Sequence, residues 1–580
     1  MPAHWVLVSF WAWGHLRPET NLAVNLASKF PDLIISFLVD AEVAGKCRDE
    51  MRRYAFLGGD ARVLPRIRVI AVGHVPAGMT PEIEKKFAIM DPRRTPKSHR
   101  IAERRIQEAF DAMMRLETFK DDNGTLWKPV GVKPNFVICD ILIGHLGRQL
   151  KQTYSLALYI YFVGSATCFT RVYAPTALGG RSIGYAEECQ AIEADTHCAS
   201  GRTFSQIAQY VWARSSKFPD DLIKIKGLPP IYQWEDLPQA AWFPSLYELT
   251  VSGFALVQCS DGIIFPTVLS IEKTGVEGVM DWYTNGTDRQ VLCLGPQLPP
   301  LIFTPASIAK SHTLAAIEVQ TSYAGPAAFL DDVNGRSSAM GGTQDTYKSK
   351  DPCMLFLNDV RRQYGDHRAI YISFGTTFFP KPAHLVILLE SILDLEQPMP
   401  LIFAAASPLA FLPAQLVQRI QSSGRGIIVP YAPQQAVLAH PALGFMVTHC
   451  GAGGTFEALS QGVPVVAWPF LGDQPIHALW MSQVLDTGFE LLQIRNGPVK
   501  GKAYRGGPYG TEIIGTDAAV REEMRAVLAA CQGQEGTRKR ANAEKVRKRI
   551  QSALKPGGQM EQHLAVLKSL FVDLPPRAAL

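Results

Sequence analysis

Residues Tyr431–Gln474 read YAPQQAVLAHPALGFMVTHCGAGGTFEALSQGVPVVAWPFLGDQ. At its centre an apolar run, GFMVT (444–448), leads through HCGAGG into TFEALSQG, which has helical apolar spacing. This order predicts a strand, a glycine-rich loop and a helix. Such a loop exposes backbone N–H groups at the helix N-terminus, and its missing side chains let an anion approach closely. His449 stands at the strand's end as a further donor, and Thr455 adds a hydroxyl. Glu457 is expected in the first helical turn, where a carboxylate can accept ribose hydroxyls. Taken alone, these loop residues fit a plain tight strand–helix turn equally well.

Around this segment lies a repeating strand–helix pattern. Ala369–Phe374, Pro400–Ala405, Ile427–Pro430, Gly444–Thr448 and Val465–Trp468 read as strands, with helices at His384–Leu395 and Thr455–Gln461. The first half has the same rhythm. Trp5–Phe10, Leu33–Val39, Val63–Val72 and Phe136–Cys139 are strand candidates. Leu16–Phe30 is a helix, with Pro18 tolerated in its first turn. Residues 76–119 read as helical and charged, and 170–250 as mixed. Strand, helix, strand in this order implies parallel sheets with helical crossovers. The pattern dissolves from Thr304 to Lys350, where NGRSSAMGGTQDTYKSK (334–350) has linker composition. The expected organisation is therefore an α/β domain over 1–300, a linker or surface excursion over 301–350, a second α/β domain over 351–555 and a last helix in 556–580. Two such halves place a cleft between them, at the carboxyl ends of the strands.

Composition narrows the partners. The chain has 580 residues, too many for one core of about 250–300 residues. It is 47% hydrophobic and 19% charged, with a net charge of +5. No basic stripe with interleaved aromatics recurs, which argues against nucleic acid. The ten cysteines are scattered without a CxxC pair, so zinc spacing is absent and free thiols in a reducing compartment are expected. No apolar stretch reaches the 18 or so residues of a spanning helix. The N-terminus reads as a buried strand rather than a signal peptide. A cytoplasmic protein is the expectation.

The whole segment resembles the signature box of family 1 UDP-glycosyltransferases. The matching residues are Tyr431-Ala432-Pro433-Gln434, His449-Cys450-Gly451, Glu457 and Asp473-Gln474. The resemblance extends to GLPPIYQWEDLP (227–238), LCLGPQLPP (292–300), YISFGT (371–376) and the basic helix near 537–555. It implies the GT-B fold, two facing Rossmann-like domains with an interdomain cleft. It also implies roles. Tyr431 stacks its ring on the uracil, Gln434 bonds ribose or base, and Ala432 between them counts among the donor-binding residues. His449 and the amides of Gly451, Ala452, Gly453, Gly454 and Thr455 hold the diphosphate, helped by Gly375 and Thr376. Glu457 grips the ribose, and Asp473 and Gln474 bond the transferred sugar. One departure stands out. The usual loop reads His-Cys-Gly-Trp-Asn-Ser, whereas here Gly453 and Gly454 replace Asn and Ser. Backbone amides must then carry more of the phosphate contact.

In the first half, His15 follows Trp13-Gly14 after the first strand, and Asp140 ends the strand 136–139. An imidazole has the free-form pKa a general base needs, and a carboxylate on its far ring nitrogen fixes the tautomer. A histidine after a strand is by itself more often structural. The family pattern, a Gly-His near the N-terminus followed by an Asp about 100–125 residues on, makes this pair the base. The resemblance then implies an inverting hexosyltransferase, passing glucose from UDP-glucose to a hydroxyl of a lipophilic small molecule. No metal or other cofactor is expected. Trp11, Trp13, Phe162, Phe169 and Tyr173 are candidate acceptor contacts. His4 reads as terminal and solvated, the run Arg538–Arg549 as a solvated helix face, and His477 as a residue near the acceptor. Two alternatives stay open: a sterol or lipid glucosyltransferase working at a membrane surface, and a nucleotide-sugar-binding protein without transfer activity.

Overall fold

Parallel strands covered by helices on both faces read as continuous apolar runs, and the chain has two sets of them. A computed structural model describes residues 3–74, 91, 93, 97–213, 222–240, 245–323, 351–375, 379–407, 410–497, 501–506 and 510–571. The first sheet holds β1 (Ala3–Val8), β2 (Leu33–Val39), β3 (Ile67–Ala71), β4 (Phe136–Asp140), β5 (Ala157–Tyr161), β6 (Gly262–Phe265) and β7 (Gln290–Cys293). They run in the order β7-β6-β5-β4-β1-β2-β3, all parallel. The second sheet holds β8 (Ala369–Ser373), β9 (Leu401–Ala404), β10 (Gly426–Val429), β11 (Leu443–Thr448), β12 (Val465–Ala467) and β13 (Gly488–Glu490). Their order is β10-β9-β8-β11-β12-β13, again all parallel.

Each sheet reverses its strand order once, between β1 and β4 and between β8 and β11. A crevice opens at the carboxyl ends of such strands. Val8 is in register with Cys139 across the first switch point, and Ser373 with Thr448 across the second. The residues that follow these strands therefore face the same crevice from opposite domains.

Buried apolar side chains fill both faces of each sheet. Trp5, Leu7, Ile35 and Phe136 lie on one face of the first sheet, and Val6, Val8, Val137 and Ile160 on the other. The domains share some of this core: Ala452 packs into the first cluster, and Leu298 and Ile302 into a cluster of the second domain. The helix Gln559–Phe571 returns to the first domain, where Leu564 and Leu567 enter its core and Cys293 N–H donates to His563 Nδ1 (3.1 Å). Each such leucine contributes about 1.5–3 kcal/mol of apolar burial. Among the described residues no helix is long and apolar enough to cross a membrane.

Several local expectations are corrected. Residues 308–323, assigned to the linker, form a helix whose Leu314 and Ala315 are fully buried. Ser311 Oγ anchors it to Ala436 O (2.9 Å). Its Ser and Thr residues blur the apolar period, so packing rather than propensity holds it. Residues 324–350 lie outside the described set. Val63–Val72 is a strand only from Ile67; Ala61–Arg66, which holds Pro65, is a 3-10 turn. The helix read at Leu16–Phe30 runs from Trp13 to Lys29, so Pro18 sits in its second turn. His4 is buried, with Nε2 on Ser36 Oγ (2.8 Å) and Nδ1 on Val132 O (3.1 Å). In the basic helix Gln534–Leu554, Lys539 and Arg547 are buried rather than solvated, and Lys539 Nζ meets Asp486 at 2.9 Å.

Candidate active site

The crevice is built from the ends of four strands. After β1 the chain turns into the helix Trp13–Lys29, and His15 lies in its first turn. Asp140, the last residue of β4, is fully buried. His15 Nδ1 lies 2.7 Å from Asp140 Oδ2, and Asp140 Oδ1 accepts the Leu142 N–H at 2.7 Å. The carboxylate is thus fixed at both oxygens, and the His15 Nε2 edge is left toward the crevice. Burial lowers the imidazole's affinity for a proton, but the charge of Asp140, its hydrogen bond, and the more distant charge of Asp473 outweigh it; the His15 pKa is raised.

Opposite stands the loop after β11. Cys450 holds a positive φ of 64°, an uncommon conformation for a non-glycine residue and one that tends to mark functional loops. Gly451 caps the helix Ala452–Gln461. Ala452, Gly453 and Gly454 occupy the first helical positions, whose N–H groups have no acceptor within a helix. The Thr455 N–H, by contrast, donates to Gly451 O (3.0 Å), and its hydroxyl is buried without a partner. His449 packs between two glycines. A Cβ at Gly375 would come within 3.0 Å of its ring and one at Gly451 within 2.5 Å. Gly375 also has φ +71°, so both the conformation and the space require glycine there. Burial drives the His449 pKa down to about 4, so the ring presents itself neutral. Thr376 lies outside the described residues.

Glu457, expected in the first helical turn, is the sixth residue of its helix and sits in the second. It is buried and fully engaged. Gln434 Nε2 donates to its Oε2 (2.5 Å), and Gln435 Nε2 (2.7 Å) and Arg17 Nη1 (3.1 Å) donate to Oε1. Gln434 Oε1 accepts from Tyr371 OH (3.2 Å). The Tyr431 hydroxyl donates to Glu318 Oε1 (3.1 Å), with its ring partly exposed. Ala432 is buried in the second domain's core, so its side chain packs rather than faces a ligand.

Asp473 precedes the helix Gln474–Leu479 and is half-buried. Its charge reaches His15 in one domain and His449 in the other, and raises the proton affinity of both rings. Gln474 Oε1 accepts the N–H groups of Phe470 (2.9 Å) and Leu471 (3.5 Å), shaping the turn that presents Asp473. His477 is fully buried between the domains: Ser165 N–H donates to its Nε2 (3.1 Å), and Nδ1 meets Cys450 O (3.0 Å). It pins the loop to the first domain rather than facing an acceptor.

Of the aromatic candidates, Phe162, Phe169 and Tyr173 pack on one another in the core. The side chains near His15 are Phe10, with ring centroids 5.5 Å apart, then Trp11 on Phe10 (4.2 Å) and His99 on Trp11 (4.1 Å). Trp13 lies under Lys46 Nζ at 4.0 Å.

Sequence reading missed Arg17, Glu318 and Gln435. Arg17 Nε also donates to Glu50 Oε1 (3.1 Å), making it the hub of a buried acidic cluster. The available signal was its place two residues after His15. The ten cysteines are all free thiols.

The family described as UDP-glucoronosyl and UDP-glucosyl transferase matches residues 336–490. The UDP-glycosyltransferase eriJ of Hericium erinaceus is 24% identical over 552 residues, covering 93% of each chain. An anthocyanidin 3-O-glucosyltransferase of Zea mays is 34% identical over 208 residues, 36% of this chain and 38% of that one. Among solved structures, a Polygonum tinctorium UDP-glucosyltransferase capable of glucosylating indoxyl superposes with a TM-score of 0.61 at 16% identity, covering 99% of both chains. Phytolacca americana UGT2, complexed with UDP-2fluoro-glucose and pterostilbene, gives 0.59 at 15%, covering 98% of this chain and 99% of that one. The fold is GT-B, and residues 336–490 carry the match to the UDP-glucoronosyl and UDP-glucosyl transferase family.

Proposed function

We propose that the protein is an inverting glucosyltransferase that moves glucose from UDP-glucose to a hydroxyl of a lipophilic small molecule. The observation that carries this reading is the His15–Asp140 contact of 2.7 Å at the end of the strands that face the His449 loop, with the charge of Asp473 felt by both histidines. His15 Nε2 takes the acceptor's hydroxyl proton, and Asp140 steadies the imidazolium that forms. The acceptor oxygen attacks the anomeric carbon as its bond to the UDP oxygen breaks. One displacement inverts the anomeric centre. The charge growing on UDP meets the free N–H groups at Ala452, Gly453 and Gly454 and the His449 ring.

In the same reading Tyr431 stacks on uracil, Gln434 and Glu457 receive the ribose, and Asp473 and Gln474 bond the glucose hydroxyls. Helix dipole and His449 take the place of a metal, and no other cofactor enters. Phe10 and Trp11 beside His15 favour an apolar, flat acceptor, in keeping with the anthocyanidin, indoxyl and pterostilbene named for the related proteins. Ten free thiols suit a cytoplasmic site of action.

The test is a matrix of UDP-sugars against hydroxylated aromatics, terpenoids and sterols, read by mass spectrometry. Glucosylated product from UDP-glucose supports the reading. UDP-glucose bound with neither transfer nor hydrolysis would make this a binding protein instead.

A further inference from the structure

Behind the His15–Asp140 pair lies a third carboxyl. Glu19 stands four residues after His15, on the same face of the first helix, and is 1% exposed. Neither of its carboxyl oxygens has a hydrogen-bond partner as an acceptor. Its surroundings explain why. Asp140, within hydrogen-bonding reach, is itself an acceptor, already held by His15 and the Leu142 N–H. The Ser9 hydroxyl, after β1, donates to Phe10 O (3.1 Å) and also lies close enough to Glu19 to favour its ionised form, an effect smaller than that of burial and of Asp140. Tyr161, in register with Asp140 on β5, has a buried hydroxyl that also lacks a partner. The remaining titratable neighbour, Cys139 on β4, is buried with its thiol pushed up by burial and by Asp140. An ionised carboxylate in this place faces the Asp140 carboxylate as a second acceptor; a protonated one turns that pair into a donor and an acceptor. Burial first, and the Asp140 charge second, push the Glu19 carboxyl well above the usual carboxylate range.

We propose that Glu19 is a positioning residue for the dyad, a neutral carboxylic acid whose O–H donates to Asp140 and limits how strongly Asp140 draws His15 toward its imidazolium form. This rests on the reading of His15 as the base. A buried Asp facing a His alone favours the charged ring; a second donor on the same Asp weakens that pull and keeps the base available near neutral pH.

Two variants and one spectroscopic measurement test it. Glu19→Gln keeps a neutral donor, so the acidic limb of the kcat/KM profile for UDP-glucose turnover should stay within about 0.3 pH unit of wild type. Glu19→Leu removes the donor, leaves Asp140 free to hold the imidazolium, and should move that limb up by about half a unit or more. In the ligand-free protein, the infrared band of a buried, protonated carboxylic acid should be present and should vanish in Glu19→Gln. A downward shift of about one unit or more in Glu19→Gln would mean that a negative charge had been removed, overturning the proposal. So would an unmoved limb in Glu19→Leu, or an infrared spectrum unchanged by Glu19→Gln. If Glu19→Leu does not fold, Glu19→Gln and the infrared band still decide. If His15 proves not to be the base, the infrared band alone reports on the proton, so the two failures remain separable.

Discussion

Arg17 and Glu457, 440 residues apart in sequence, meet across the cleft with Nη1 and Oε1 at 3.1 Å. The same guanidinium holds Glu50 and approaches Glu318, so one cation serves three buried carboxylates from both domains. Burial raises the Glu50 pKa, but Arg17 and Arg53 pull it down to about 2. A ribose that bonds Glu457 must share its oxygens with Arg17, Gln434 and Gln435 or displace one of them.

Arg17→Ala should lower stability by about 3–5 kcal/mol, the loss expected when one partner of a buried ion pair is removed. Urea denaturation measures it. Protonating the stranded carboxylates relieves the penalty, so the gap from wild type should narrow as pH falls below the ordinary Glu value. In wild type, the Glu50 contribution is present above its unfolded value of 4.5 and fades as pH falls toward about 2. An unchanged midpoint at neutral pH would show that the cluster needs no cation.

His15 is raised in pKa, so its neutral form, the one the proposed mechanism uses as base, is lost as pH falls through that value. The kcat/KM profile should therefore drop on the acid side and level off above it. Asp140→Asn should cost about 10³–10⁴ in kcat with little change in the donor's KM, because it removes the charge that steadies the imidazolium. Steady-state kinetics distinguishes this from a binding defect, in which KM would carry the loss.

A Cβ at Gly453 meets nothing within 4 Å, and one at Gly454 makes only ordinary contacts, the nearest with Thr448 Oγ1 at 3.6 Å. The loop has room for the Asn and Ser side chains it lacks. The double variant Gly453→Asn, Gly454→Ser should bind UDP about tenfold more tightly, through one or two charge-assisted hydrogen bonds to phosphate. It should also gain a few tenths of a kcal/mol in stability. Calorimetric titration with UDP reads the first effect; equal or weaker binding would mean the amides already saturate the phosphates.

His477→Phe fills the same buried space but strands the Ser165 N–H and the Cys450 carbonyl, in opposite domains, and removes the ring nitrogen that lies 3.4 Å from Asp473 Oδ2. Each stranded group costs about 1–3 kcal/mol. Because Cys450 sits at φ 64° in the loop, UDP affinity should fall together with thermal stability. A loss of stability with UDP affinity intact would confine the pin to a structural role.

The strand–loop–helix at 443–461 was legible because its glycines and His449 lie consecutively in sequence. His15 and Asp140 were legible as positions, each at the end of an apolar run. Arg17 was not, since a charged residue on a helix is normally solvated, and only the folded acidic cluster makes it a hub. Glu318 was hidden in a helix whose Ser and Thr residues imitate a linker. β5, β6 and β7 were missed because runs of four or five mostly apolar residues fit a strand or a helix segment equally well. Phe162, Phe169 and Tyr173 erred in the opposite direction: large rings near a cleft in sequence are more often core.

The central claim, that His15 is the base of a UDP-glucose-dependent transfer, is tested most directly by one paired measurement on wild type and His15→Ala. Mass spectrometry follows glucoside formation from UDP-glucose and a phenolic acceptor, and calorimetry follows UDP binding. The expected result is product from wild type, none from His15→Ala, and equal UDP affinity in both. Product formed by His15→Ala at the wild-type rate would contradict the claim.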